Sequence, residues 1–212
     1  VSRARRWGGR LFHRFFLGLA PDVVGLLIAQ GQVSVEATAA FLRWSEGTDG
    51  DIVALTALER AADAARRTLL TALQGALATP IDQEDLYILS ERCDRVVNAV
   101  RDIAAEGDAL GWAPDHHAAE MARRMHAGME ELVTGFGCLR RAPDRAGDAA
   151  DRSRAAARSV VRSYREAVAA LFATEDAREI LLGREIYRQY AEAALLLAAV
   201  ADRLWYVVLA EA

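Results

Sequence analysis

A chain of 212 residues that is 53% hydrophobic and 26% charged is long enough to bury a core and too apolar to remain disordered. Its formal charge of −4 argues against nucleic acid as a partner, because neutralising phosphates requires a basic face. All 26 basic residues are arginine, which we read as the coding bias of a GC-rich bacterial genome, since no physical requirement excludes lysine from every exposed position.

Residues 1–21 form a basic and aromatic N-terminal segment. Arg3, Arg5, Arg6, Arg10 and Arg14 interleave with Trp7, Phe12, Phe15, Phe16 and Leu17, and no acid precedes Asp22. Such a segment suits an anionic membrane surface, with arginines among the headgroups and aromatics below them. A helix start whose aromatics dock on the rest of the fold accounts for the same pattern and is the simpler reading. The clean apolar run and small-residue cleavage site of a secretory signal are missing. A cytoplasmic location is therefore expected, peripheral to the inner face of the membrane if the segment binds lipid.

From residue 22 to 212 the chain reads as helix after helix. The first runs from about Asp22 to Trp44 and ends at Gly47–Gly50. The second, from about Asp51 to Ala78, carries Leu55, Leu58, Ala62, Ala65, Leu69 and Leu73 as one stripe and stops before Pro80. The third has Asp82 as N-cap with Glu84 and Asp85 in its first turn, so its acids are accounted for as a cap. Its seam of Leu86, Leu89, Cys93, Val96, Val100 and Ile103 alternates steps of three and four, and Gly107 and Gly111 close it. Trp112, Pro114 and Asp115 open a fourth helix that reaches about Arg140. A polar link with Pro143, Asp144 and Gly147 leads to a fifth helix bearing Val160, Val161, Tyr164, Val168, Leu171 and Phe172. The sixth runs from Asp176 nearly to the end.

This order predicts an all-α fold of about six long antiparallel helices, arranged as two three-helix units over 22–110 and 111–212. The sixth helix has no charge from Ala193 to Ala201 and is apolar again from Leu204 to Ala210, with only Asp202 and Arg203 between. A membrane span needs about 20 apolar residues, and a central charged pair costs several kcal/mol there. The sequence thus predicts a helix buried in the bundle or in a dimer face, and a homo-oligomer with it. Cys93 and Cys138 lie in helical stretches without CxxC spacing and are expected to be reduced thiols packed as small hydrophobes.

Two segments carry a family resemblance. The first is Glu59-Arg-Ala-Ala-Asp63, followed by Leu69 to Leu77, Thr79-Pro80-Ile81-Asp82-Gln83-Glu84-Asp85-Leu86 and Leu89-Ser-Glu-Arg-Cys-Asp94. The second is Tyr164-Arg-Glu-Ala-Val-Ala-Ala-Leu-Phe172 with Arg184-Glu185-Ile186-Tyr187. Together they resemble the two halves of the PhoU-like family of phosphate-transport accessory proteins, of the type paired with Pit-type phosphate transporters. The resemblance implies two three-helix bundles, a cytoplasmic accessory or regulatory role in phosphate uptake, and a carboxylate-bound metal on the bundle surface.

Carboxylates at i and i+4 share a helix face, and acids on a neighbouring helix can complete an oxygen-rich shell. On this pattern Glu59, Asp63 and Asp94 would hold iron or zinc at a single first-half site. Asn98 stands where the family would place a further aspartate, and Asp102, one turn on, is the candidate substitute. Solvated acids paired with Arg60, Arg66 or Arg95 explain the same residues without a metal. In the second half the matching positions are Ala157, Val161, Ala191, Leu195 and Ala199, so a second metal site is not expected.

His116 and His117 with Glu120, and His126 further along, read as helix-surface histidines. No paired Glu-x-x-His motif of a di-iron centre is present, nor a Walker loop, nucleophile elbow or dinucleotide fingerprint. The expected function is a non-enzymatic accessory protein that docks on a phosphate transporter or its regulator. A carboxylate-site metal-binding protein and a purely structural or oligomeric bundle are the alternatives.

Overall fold

The computed structural model describes residues 21–48 and 51–210; the basic and aromatic positions of the N-terminal segment, and any membrane contact they make, lie outside these residues. Six helices fill the described chain: α1 (Val23–Ser45), α2 (Ile52–Gly75), α3 (Gln83–Ala109), α4 (His116–Cys138), α5 (Pro143–Leu171) and α6 (Ala177–Ala210). Aspartates start most of them. Asp22, Asp51, Asp82 and Asp115 accept hydrogen bonds from the first-turn amides of Gly25, Val53, Glu84 and Ala118 at 3.1, 2.7, 2.8 and 3.0 Å. Asp176 does the same for Arg178 at 2.8 Å. Each satisfies an amide that has no partner within its own helix. α5 instead begins with Pro143 in its first turn, where a missing N–H costs nothing.

Three boundaries differ from those the sequence suggested. α2 stops at Gly75, three residues before Ala78. Pro143, Asp144 and Gly147 belong to the first turns of α5 rather than to a link. Gly107 lies inside α3, where a Cβ would stand 2.8 Å from the Trp44 ring; it is a packing glycine. The chain turns at Gly111, whose φ of 63° is one that glycine adopts without strain.

Helices α1, α2 and α3 all touch one another, as do α4, α5 and α6, and the two sets meet through α1 against α4 and α3 against α6. α2 contacts only α1 and α3, and α5 contacts only α4 and α6, so four helices form the interior and two flank it. The burial follows. Every residue of the α3 seam from Leu86 to Ile103 is buried, whereas α2 buries only Leu55, Ala62, Leu69 and Leu73. On α4, Gly128 and Gly135 let α5 approach closely: a Cβ there would meet the side chains of Ala156 and Ala149 at 3.2 and 3.3 Å.

Several polar groups in the interior are partnered across helices. Gln30 of α1 and Ser90 of α3 bond reciprocally, the amide nitrogen donating to the Ser90 carbonyl at 2.9 Å and the hydroxyl to the amide oxygen at 2.6 Å. Tyr190 of α6 is fully buried, its ring 5.1 Å from that of Phe41 and its hydroxyl 2.7 Å from that of Ser45. The two charges in the apolar stretch of α6 also find partners. Asp202 pairs with Arg154 of α5, and Arg203 with Asp85 of α3, each at 2.5 Å. Asp85 is therefore no cap residue: Asp82 caps α3 alone, while Asp85 is buried and ties α3 to α6. Burial pushes the Asp85 carboxyl above its ordinary value, and Arg203 opposes that rise.

Among the described residues, α1 and α6 are long and apolar enough to cross a membrane by length and composition. About half of each apolar window, 50% and 44%, is buried within the bundle. Part of α6 faces outward, leaving Leu181, Leu195, Tyr206 and Leu209 exposed. Cys93 is buried and Cys138 half-buried, and neither is bonded to the other. Burial pushes the Cys93 thiol up to about 12, which leaves it unreactive at neutral pH.

Candidate functional site

The acids read as candidate ligands lie along the α2–α3 face. Glu59, Asp63 and Asp94 are half-buried, and they act on one another electrostatically. Burial raises the Asp94 carboxyl above its ordinary value; Arg66 pulls it down, while Asp63, Glu59 and Glu91 add to the rise. The face is nevertheless threaded with its own cations and amides. Asp63 is bonded to Arg67 and Glu91 to Arg95. Asn98 donates to Asp94 at 3.3 Å, and the Arg66 Nε is buried without a hydrogen-bond partner.

Asp102 is turned away from this group. It is exposed, two turns beyond Asp94, and lies 3.1 Å from Arg101. Its helical phase differs from that of Asp94 by eight residues, about 80° on a helix, which separates the two side chains around the axis. Donor atoms of Glu59, Asp63 and Asp94 do not converge to within 4.8 Å of one another. Three of the four candidate acids have an arginine or amide neighbour: Arg67 for Asp63, Asn98 for Asp94 and Arg101 for Asp102.

The matching positions of the second half show the same helix packing with different chemistry. Ala157 is buried, Val161, Ala191 and Ala199 are half-buried, and Leu195 is exposed. The Ala199 carbonyl accepts a hydrogen bond from Arg92 of α3. None of these five positions carries a carboxylate.

A different cluster forms where the α3–α4 connection meets α6. Donor atoms of Asp115, His116 and His117 lie within 4.8 Å of one another, the one group of three or more such side chains to do so among the described residues. Asp115 is fixed from two sides. One carboxylate oxygen caps α4 through Ala118, and the other accepts the Tyr187 hydroxyl at 2.6 Å. Burial, first, and this donation to a carboxylate raise the Tyr187 phenol well above its ordinary value, so it remains a donor. The His116 and His117 rings are 3.9 Å apart, and the Tyr187 ring meets Trp112 edge-on at 5.9 Å. Beside them a cleft of about 320 Å³ is lined by Trp112, Asp115, Asp176, Arg178, Glu179 and Tyr187 among others.

The two other residues weighed with these histidines are engaged elsewhere. Glu120 bonds Arg123 and Arg124, each at 2.7 Å. Partial burial works against its charge, but these hydrogen bonds outweigh it and hold the carboxyl below its ordinary range. His126 is half-buried, and its Nδ1 lies 3.1 Å from the Thr38 hydroxyl of α1. Reading the sequence for a helix start located Asp115 but gave it no partner. The signal was the carboxylate immediately preceding two histidines; Tyr187, 72 residues away, carries none.

No protein-family model and no curated protein matches the chain by sequence. Solved structures do match by shape. A PhoU-like protein from Shewanella oneidensis MR-1 superposes with a TM-score of 0.72 at 15% identity, over 89% of this chain and 100% of that one. A PhoU-like phosphate regulatory protein from the same organism superposes with a TM-score of 0.75 at 16% identity, over 91% of this chain and 98% of that one. The all-α architecture anticipated from the Glu59–Asp94 and Tyr164–Tyr187 segments is thus found, and the chain has the PhoU-like fold.

Proposed function

We propose that this chain is a non-enzymatic accessory or regulatory protein of inorganic phosphate uptake, acting by docking on a transporter or its regulator. The observation that carries the reading is the end-to-end correspondence with a PhoU-like phosphate regulatory protein, 91% of this chain against 98% of that one. The Thr79-Pro80-Ile81-Asp82 connector points the same way, as it resembles the connector of family members paired with Pit-type transporters. A cytoplasmic location and a homo-oligomer, with the exposed apolar residues of α6 as contact surface, belong to this proposal. Co-purification tests it. Tag-free protein expressed with a Pit-type transporter of the same genome should be retained with the detergent-solubilised transporter and affect phosphate uptake. Absence of both effects overturns it.

A second reading is favoured by the mutual electrostatics of Glu59, Asp63 and Asp94: iron or zinc held at the first-half face after rearrangement of Arg66 and Arg67. Under it, Asp63→Ala lowers the bound iron or zinc of purified protein by elemental analysis. Unchanged stoichiometry removes that reading and leaves docking.

A further inference from the structure

We propose that Asp115, His116 and His117 bind one divalent first-row transition-metal ion, with Tyr187 as the positioning residue for the carboxylate. Three observations meet at this place. Side-chain donors of all three residues already lie within 4.8 Å of one another, so side-chain rotation of roughly 1.5 Å brings them to the spacing of about 3.3 Å that tetrahedral ligands at about 2.0–2.1 Å require. The two imidazole ring centres are 3.9 Å apart, so each ring can turn one nitrogen towards a shared ion. The carboxylate is held from behind by the Tyr187 hydroxyl at 2.6 Å, and Tyr187 is itself buried against Trp112. Each carboxylate oxygen keeps a further lone pair beyond the hydrogen bond it accepts.

The donor set selects the class of ion. Two imidazoles and one carboxylate suit zinc, cobalt, nickel, copper or ferrous iron, whereas calcium and magnesium prefer all-oxygen shells. The start of α4 carries partial positive charge, which opposes a cation. Asp115 counters it directly, and Asp176 and Glu179 on the adjoining cleft outnumber Arg178 there. Three protein ligands leave positions open for water or another ligand. An outer hydrogen bond such as that from Tyr187 is the element that separates a built site from two neighbouring surface histidines, because such partners orient a ligand and tune its basicity. The site is separate from the Glu59–Asp94 face and stands or falls independently of the docking function.

Titration of untagged, chelator-treated protein with cobalt(II), followed by visible absorption and native mass spectrometry, tests the proposal. One cobalt per chain is expected, displaceable by zinc. His116→Ala, at an exposed position, and His117→Ala should each weaken binding by about tenfold or more, and Tyr187→Phe by about 10–100-fold. The histidine-dependent cobalt should persist in the double variant Asp63→Asn/Asp94→Asn, which separates this site from any binding at the first-half face. Circular dichroism melting of the metal-free variants identifies any that fail to fold, and the exposed His116 substitution keeps the test decisive. No stoichiometric uptake by the parent, or uptake unchanged in both histidine variants, overturns the proposal. Histidine-dependent uptake that Tyr187→Phe leaves intact reduces it to an adventitious histidine pair.

Discussion

The two outer faces of this molecule are built alike and furnished differently. On one, α2 packs on α3 and displays Glu59, Asp63, Glu91 and Asp94 among Arg66, Arg67 and Arg95; on the other, α5 and α6 display Val161, Ala191, Leu195 and Ala199. Both flanking helices nevertheless hold the same relation to the interior, each touching two neighbours in its own half. What the halves share is the inward stripe, and what differs is the outward one. Packing tolerates either outward set because it depends on the apolar positions of the buried seam. The outward positions are where a binding face is kept or lost, so likeness of fold between the halves carries no likeness of surface chemistry.

Substitutions can break this comparison at graded strength. The largest effect is expected where the halves are joined. Asp85→Ala leaves the mostly buried Arg203 of the opposite half without its partner and should cost about 3–5 kcal/mol in chemical denaturation. The adjacent pair Arg154–Asp202 has side chains 33% and 59% exposed, so Asp202→Ala should cost no more than about 1 kcal/mol. Equal losses from the two would contradict the interior placement of Asp85.

Next comes Tyr190→Phe, which strands the buried Ser45 hydroxyl. A loss of about 1–3 kcal/mol is expected, and denaturation of Ser45→Ala in the same series checks that both changes remove one shared bond.

Smaller effects compare the outer faces themselves. Leu195→Asp places an acid on the apolar face at a position 62% exposed. Folding stability should change by no more than about 0.5 kcal/mol, whereas any α6-mediated dimer should dissociate, as light scattering would record.

The smallest effect is at Asp94, and it depends on pH. Its folded carboxyl takes up a proton at a higher pH than the ordinary 3.8, so the ionised form costs stability at neutral pH. That cost fades as pH falls through the raised value and is gone below 3.8. Asp94→Asn should therefore be slightly more stable than the parent at pH 7, with the advantage shrinking on acidification. An advantage that grows in acid would reverse the assigned sign.

Much of the architecture is legible in the residues. The threes and fours of Leu86 to Ile103 mark a buried face in any context, because side chains one turn apart stack on one side of a helix. Asp22, Asp51, Asp82 and Asp115 mark helix starts because a short carboxylate reaches the free amides of the first turn. Both signals are local, and both survive in the fold. Gly107 and Pro143 misled for the same reason: glycine also serves where helices crowd, and proline also serves in a first turn.

The sites were less legible. Glu59 and Asp63 share a face by spacing alone, but nothing in the sequence says that Arg67 bonds Asp63 or that Asp102 faces Arg101. The Asp115–Tyr187 bond joins residues 72 positions apart, and it turns a capping residue into a held carboxylate beside two histidines. By itself the sequence determined helix number, helix starts and the buried stripes, since these depend on neighbours within a turn or two along the chain. Only the tertiary structure decided which charge meets which, because α1 on α4 and α3 on α6 bring together side chains that no local periodicity relates.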